Sequence, residues 1–185
     1  MLPSGVPGYT PAWKKYTQTD LNKAKKLLEQ AGVKTPFTIH AWFPSYQTIR
    51  RDLFILLKEV AKPLGIEFEL HPLERAAWLA GLREAGKYDI NFGCETPDVI
   101  DASGYLKIFH SSQIPYPNQY LYDDKEFDAL YDEAIFNPDE KRRNELWVKI
   151  QEKLADDAFV LPLWVSVREF FYRKYVGGPA IEKGT

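Results

Sequence analysis

A chain of 185 residues that is 45% hydrophobic and 15% aromatic can bury a core of its own, which excludes a disordered polypeptide and fits a single domain over 1–185. Its formal net charge is -2, from 24 basic and 26 acidic residues spread along the length, so there is neither a broad basic field for nucleic acid nor a polybasic membrane anchor. The one cysteine, Cys94, excludes an internal disulfide and leaves the redox compartment open. No run approaches the roughly 18 apolar residues of a membrane span, and the first residues hold no signal-peptide core, so no export signal is written in the sequence as it stands.

Residues 1–19, punctuated by glycine and proline, read as a connector loop. A first helix follows: Asp20 is its N-cap, Leu21, Ala24, Leu27, Leu28 and Ala31 form one apolar face, and Gly32 supplies the left-handed stop. Lys23, Lys25 and Lys26 then form a solvated face. A strand is expected over 37–43, and a helix over 46–64 with Ile49, Leu53, Leu56, Leu57, Val60 and Leu64 toward the core, ended by Pro63-Leu64-Gly65. A second strand over 66–70, a crossover helix over 74–85 centred on Trp78 and Leu82, and a third strand over 88–92 complete a β-α-β-α-β run. Right-handed crossovers make the three strands parallel and bring their carboxyl ends, 42–46, 71–74 and 93–98, to one edge.

Beyond Asp98 an apolar pattern at Ile100, Tyr105, Leu106 and Phe109 predicts another helix, and two more are expected over 125–136 and 139–156, separated by Asn137-Pro138. Strand character returns over 160–167, with Pro162 arguing for an edge position.

The strand-end edge carries the candidate site. Trp42-Phe43-Pro44-Ser45-Tyr46 joins a strand to a helix, where helical N–H groups could meet an anion or carbonyl oxygen and aromatic faces could meet a sugar ring or peptide side chain. The plain alternative is core packing by the aromatics and capping by Ser45. Glu95 and Asp98 follow the third strand, where ligands of parallel sheets bind; Asp98 is equally a helix cap. Residues 81–87 match most of a phosphate-binding loop, but they leave a helix for a strand and lack the final Ser or Thr, so no nucleotide is expected. His40, His71 and His110 show no metal-ligand spacing, although His40 and His71 become neighbours if their strands pair; packing is the ordinary role, and no metal or cofactor is assigned. No nucleophile–base pair is written locally, and Asp156-Asp157 is an acid pair by count only.

Pro7-Gly8-Tyr9, Ala24 to Gly32, Gly65 to Leu70, Tyr88-Asp89-Ile90, Phe127 to Ala134, Lys141 to Ala158 and Pro162-Leu163-Trp164 occur in the order of one family pattern. The chain resembles the C-terminal portion of the extracellular solute-binding proteins of family 5, the oligopeptide, dipeptide and nickel receptors of ABC importers. The resemblance implies an α/β fold, a lobe like those of type II periplasmic binding proteins with a mainly parallel sheet flanked by helices. It also implies that 1–185 is the second lobe of a two-lobed protein, with 168–185 returning toward a missing N-terminal lobe. Met1 then reads as a deliberate truncation or a trimmed gene, and the full-length parent would be periplasmic or membrane-anchored outside the cell.

The resemblance further implies a binding protein and not an enzyme, which closes two lobes around a peptide and delivers it to an importer permease. Oligopeptide receptors carry an aspartate that takes the peptide α-ammonium, and without gaps it falls on Asp98; Glu95, Val99 and Ala102 depart from the flanking pattern. Oligosaccharide binding at the aromatic edge is the alternative within the family. A small α/β enzyme using Asp98 or Glu95 as acid or base, and an interaction domain with an exposed apolar patch, are alternatives outside it.

Overall fold

The computed structural model describes residues 2–16, 18–84, 86–93, 101–165 and 171–177. Strands β1 (Phe37–Pro44), β2 (Ile66–Leu73) and β3 (Ile90–Asn91) form a parallel sheet in the order β2-β1-β3. Helix α2 (Thr48–Ala61) joins β1 to β2, and α3 (Arg75–Gly81) joins β2 to β3. The two connections run in opposite directions across the sheet, so right-handed crossovers place the helices on opposite faces. On the α2 face Ile39, Ala41, Phe43, Phe68, Leu70 and Ile90 pack with Phe54, Leu57 and Ala61. On the other, Gly81 of α3 lies so close to Trp42 that a Cβ there would fall 2.4 Å from the indole Cζ3.

Three expectations for this half are corrected. Ser45 does not cap α2: its N–H donates to the Leu73 carbonyl at 2.8 Å, extending the β1–β2 ladder, and Gln47 takes the N-cap position without a side-chain bond. The core face of α2 runs through Arg50 and Phe54, both buried, while Ile49 and Leu56 are exposed. Third, β3 is only two residues long. The Asp89 carboxylate accepts the His40 N–H at 2.7 Å, occupying the donor that a backbone carbonyl would take in a longer ladder.

Helix α1 (Leu21–Gln30) has the expected Asp20 cap, whose side chain accepts the Lys23 N–H, but it buries no residue, and Leu21 and Leu27 are exposed. A second core joins α4 (Ala102–Leu106), α5 (Lys125–Phe136) and α6 (Glu140–Asp157) to the opening segment through Leu2 and Val6. Aspartates cap all three helices: Asp101 accepts from Ser103 N, Asp124 from Phe127 N, and Asp139 from Lys141 N and Arg142 N. The helix expected after Asp98 therefore starts later and takes its cap from Asp101. The opening segment, irregular apart from a 3-10 turn at Ala12–Tyr16, is held against α6 by Gln151, which is fully buried and donates to the Gly8 carbonyl at 2.6 Å.

No strand forms over 160–165, and 166–167 lie outside the described residues. Pro162 has no N–H to give a ladder, and this stretch instead lays Phe159 and Val160 on the helical core. Residues 171–177 have no regular structure.

Candidate functional site at the carboxyl ends of β1 and β3

In a sheet ordered β2-β1-β3 the chain reverses its direction of travel between β1 and β3, and ligands of open parallel sheets bind beyond the carboxyl ends of the strands at such a point. Here the edge is made by residues 42–46, at and just past the end of β1, and 91–93, at and just past the end of β3. Trp42 is half-buried under α3, its ring 5.7 Å from that of Tyr88. Phe43 points the other way: it is 2% exposed and packs on Phe54 with ring centroids 5.7 Å apart. Its expected contact with a ligand is corrected to a core role, because alternate strand residues face opposite sides and Trp42 holds the other one. Ser45 and Tyr46 are exposed at the edge, Tyr46 by 56%. Glu95 and Asp98 lie outside the described residues.

Several residues that the sequence reading did not place in the site converge there. The Arg50 guanidinium, on the first turn of α2, stands 5.1 Å from the Trp78 ring and 5.2 Å from the Phe92 ring. Arg50 is only 6% exposed, and its planar cation suits two aromatic faces. Trp78 Nε1 donates to Asn91 Oδ1 at 3.0 Å, and the Tyr88 hydroxyl donates to the Gln119 carbonyl at 3.1 Å. Burial raises the Tyr88 phenol above its ordinary range, so it remains a donor at neutral pH. Phe92 packs against Trp164 with the rings tilted by 41° and their centroids 5.6 Å apart. These contacts tie the sheet end to the helical half through Gln119 and Trp164. No local pattern singles them out: α2 carries Arg51, Asp52, Lys58 and Glu59 as well as Arg50.

The edge thus presents flat apolar surfaces, a buried cation behind them and polar groups along β3. It can stack a ring or side chain and offer hydrogen bonds. Two surface cavities lie elsewhere, one between Gly8-Tyr9 and the start of α6, the other along α2 and the amino end of β2. Neither reaches the switch point; topology and chemistry, not concavity, identify the site. Among the described residues no helix is long and apolar enough to cross a membrane.

Comparison with known proteins agrees with this architecture. The chain is 26% identical to the periplasmic oligopeptide-binding protein OppA of Salmonella typhimurium over 172 residues, which covers 91% of this chain and 31% of that protein. It is 26% identical over 157 residues to the probable deoxycholate-binding periplasmic protein YgiS of Escherichia coli, covering 84% of this chain and 29% of that one. The chain therefore spans about a third of the length of the curated relatives it matches. Among solved structures, HbpA2 from Haemophilus parasuis superposes with a TM-score of 0.78 at 24% identity, covering 86% of this chain and 32% of that one. DppA from Helicobacter pylori in complex with the peptide STSA gives 0.69 at 27% identity over the same shares, 86% and 32%. The fold is the mixed α/β arrangement of type II periplasmic binding proteins. Residues 1–117 match the model of the bacterial extracellular solute-binding proteins, family 5 Middle, and a match over this much of the sequence makes the chain a member of that family.

Proposed function

We propose that this chain forms one wall of the ligand cleft in a peptide-binding component of an ABC importer. The observation that carries this reading is the β1/β3 edge, where Trp42 pairs with Asn91 of β3, Tyr46 is exposed just past β1, and the sequence after β3 continues into the acidic stretch holding Glu95 and Asp98. The names of OppA and of peptide-bound DppA support peptide as the solute. The mechanism is closure of a second lobe over this edge, driven by the ligand's greater affinity for the closed state, followed by delivery to a membrane permease. In that setting the protein works outside the cytoplasmic membrane, in the periplasm or anchored at its outer surface, and it binds its ligand without transforming it.

Asp98 is the residue proposed to pair with a peptide α-ammonium. In the two-lobed protein carrying this sequence, tryptophan fluorescence titrated with short peptides should show saturable binding, weakened by Asp98→Asn by about 1.5–3 kcal/mol, the worth of a charge-assisted hydrogen bond. Unchanged affinity would remove Asp98 from the site. The exposed Tyr46 ring favours a second reading, an oligosaccharide stacked on the same edge. Saturation by oligosaccharides and not by peptides would select it, and silence from both would reopen an enzymatic role.

A further inference from the structure

We propose that His40, Glu69 and His71 form a binding site for a single divalent transition-metal ion, with Zn2+ as the best match, on the open face of the sheet. In the β1–β2 register His40 lies opposite Glu69, and His71 follows Glu69 by two residues on the same strand. Side chains two apart on a strand share a face, so all three project from one side of the strand pair. That side faces away from α2, whose core takes Ile39, Ala41, Phe68 and Leu70. Toward the amino ends of the strands it is uncovered: His40 and Glu69 are exposed, and His71 is half-buried.

The distances suit one shared metal ion. His40 Nδ1 and His71 Nε2 are 3.1 Å apart, His40 Nδ1 and Glu69 Oε2 3.6 Å, and His71 Nε2 and Glu69 Oε1 3.4 Å. With metal–ligand bonds of about 2.1 Å, the ligand–ligand edges of a tetrahedron measure about 3.4 Å. The three observed edges bracket that value. The His40–His71 contact is of hydrogen-bond length without a metal, whereas the two histidine–carboxylate separations are long for hydrogen bonds, so it is the placing of Glu69 that a shared ion would account for. Two imidazoles and one carboxylate are a zinc ligand set that leaves a fourth position for water or an incoming ligand.

The frame holding the ligands is stiff. His40 is fixed on one side by the β2 ladder and on the other by Asp89, which accepts its N–H at 2.7 Å and donates to its carbonyl at 3.1 Å. A bound ion would staple β1 to β2 without moving either strand. Strand pairing brings His40 and His71 together, as the sequence reading expected if their strands paired; Glu69 was not foreseen, because only the register puts it opposite His40. The inference is independent of the peptide-binding reading.

The test is calorimetric titration of the untagged, metal-stripped chain with ZnCl2, with Co2+ as a visible probe of tetrahedral coordination. One equivalent should bind saturably, Co2+ should give tetrahedral bands, and Zn2+ should raise the thermal midpoint. His40→Ala and His71→Ala should each weaken binding by more than about 100-fold, since loss of a direct ligand exceeds the 10–100-fold effect of outer-shell changes. Glu69→Gln, nearly unchanged in shape, should also weaken it and decides the matter if either alanine variant loses its circular dichroism. His110→Ala should bind as the parent does. No saturable binding, or parental affinity in His71→Ala and Glu69→Gln, overturns the proposal.

Discussion

Gly8 and Trp147 are in direct contact, with the glycine at φ +81° and so close that a Cβ on it would stand 2.6 Å from the Trp147 Cβ. Two constraints meet at this position: a left-handed backbone that side chains disfavour, and no room for a methyl group. Trp147 is 2% exposed and belongs to α6, so the opening segment and the C-terminal helical core meet at this glycine. Gly8→Ala should cost about 2–4 kcal/mol from strain and overpacking together. A urea unfolding midpoint close to that of the parent would show that the loop can move aside.

Asn118 organises the loop between α4 and α5. It is fully buried; its Nδ2 donates to the carbonyls of Phe109, His110 and Tyr122, and its Oδ1 accepts the Tyr122 N–H. Asn118→Ala strands several backbone groups away from water, and each buried polar group left unsatisfied costs about 1–3 kcal/mol. Asn118→Asp should be no rescue, because a carboxylate cannot donate to the three carbonyls. Chemical denaturation of both variants tests this, and parental stability in either one would contradict the assigned role.

The two C-terminal helices were legible in the sequence, though their aspartate caps were not: α5 runs over the expected residues, and α6 departs from expectation by one residue at each end because Asp139, read as its first residue, is its cap. The parallel β-α-β-α-β order was equally readable, since only one crossover hand is favoured. The face of α2 was not, because residues 53–57 are all apolar and surround the helix; Phe54 is chosen by its contacts with Phe43 and Phe92, a tertiary choice. Ser45 looked like a cap but serves the strand ladder, a competition that local pattern cannot resolve. Arg50, Gln151 and the His40–Glu69–His71 triangle have no local signature, as each depends on residues brought together by the fold.

Asp128 should give the chain a measurable acid sensitivity. Burial alone would raise its carboxyl, but the Ser111 hydroxyl and backbone N–H, with His110 and Lys125 nearby, outweigh that effect and hold it below the usual range. A depressed native value means that the stabilisation is complete above the unfolded value of about 3.9 and is lost as pH falls through the native one. Asp128→Asn should therefore destabilise at pH 7, by about 1–3 kcal/mol, and much less in strong acid. Urea midpoints for both proteins across this range should converge as pH falls; parallel curves would assign the acid limb to other carboxylates.

Arg50 gives the most direct check on the architecture of the switch-point edge. Its guanidinium is sandwiched against Trp78 from α3 and Phe92, which follows β3, so one side chain of α2 joins α3 to the end of the sheet. Lysine keeps the charge but loses the planar, weakly hydrated group that stacks on aromatic faces; methionine keeps apolar bulk and loses the charge. If stacking holds the edge together, Arg50→Lys should cost about 1–2 kcal/mol, the range of a desolvated cation–π contact, and should shift tryptophan emission through Trp78. Arg50→Met should retain more of the stability than lysine does, because an ammonium buried at 6% exposure carries a larger hydration penalty than a thioether. The opposite order, with lysine tolerated and methionine not, would show that the positive charge itself is what the edge requires, and would shift attention from its aromatic walls to the acidic residues that follow β3 in the sequence.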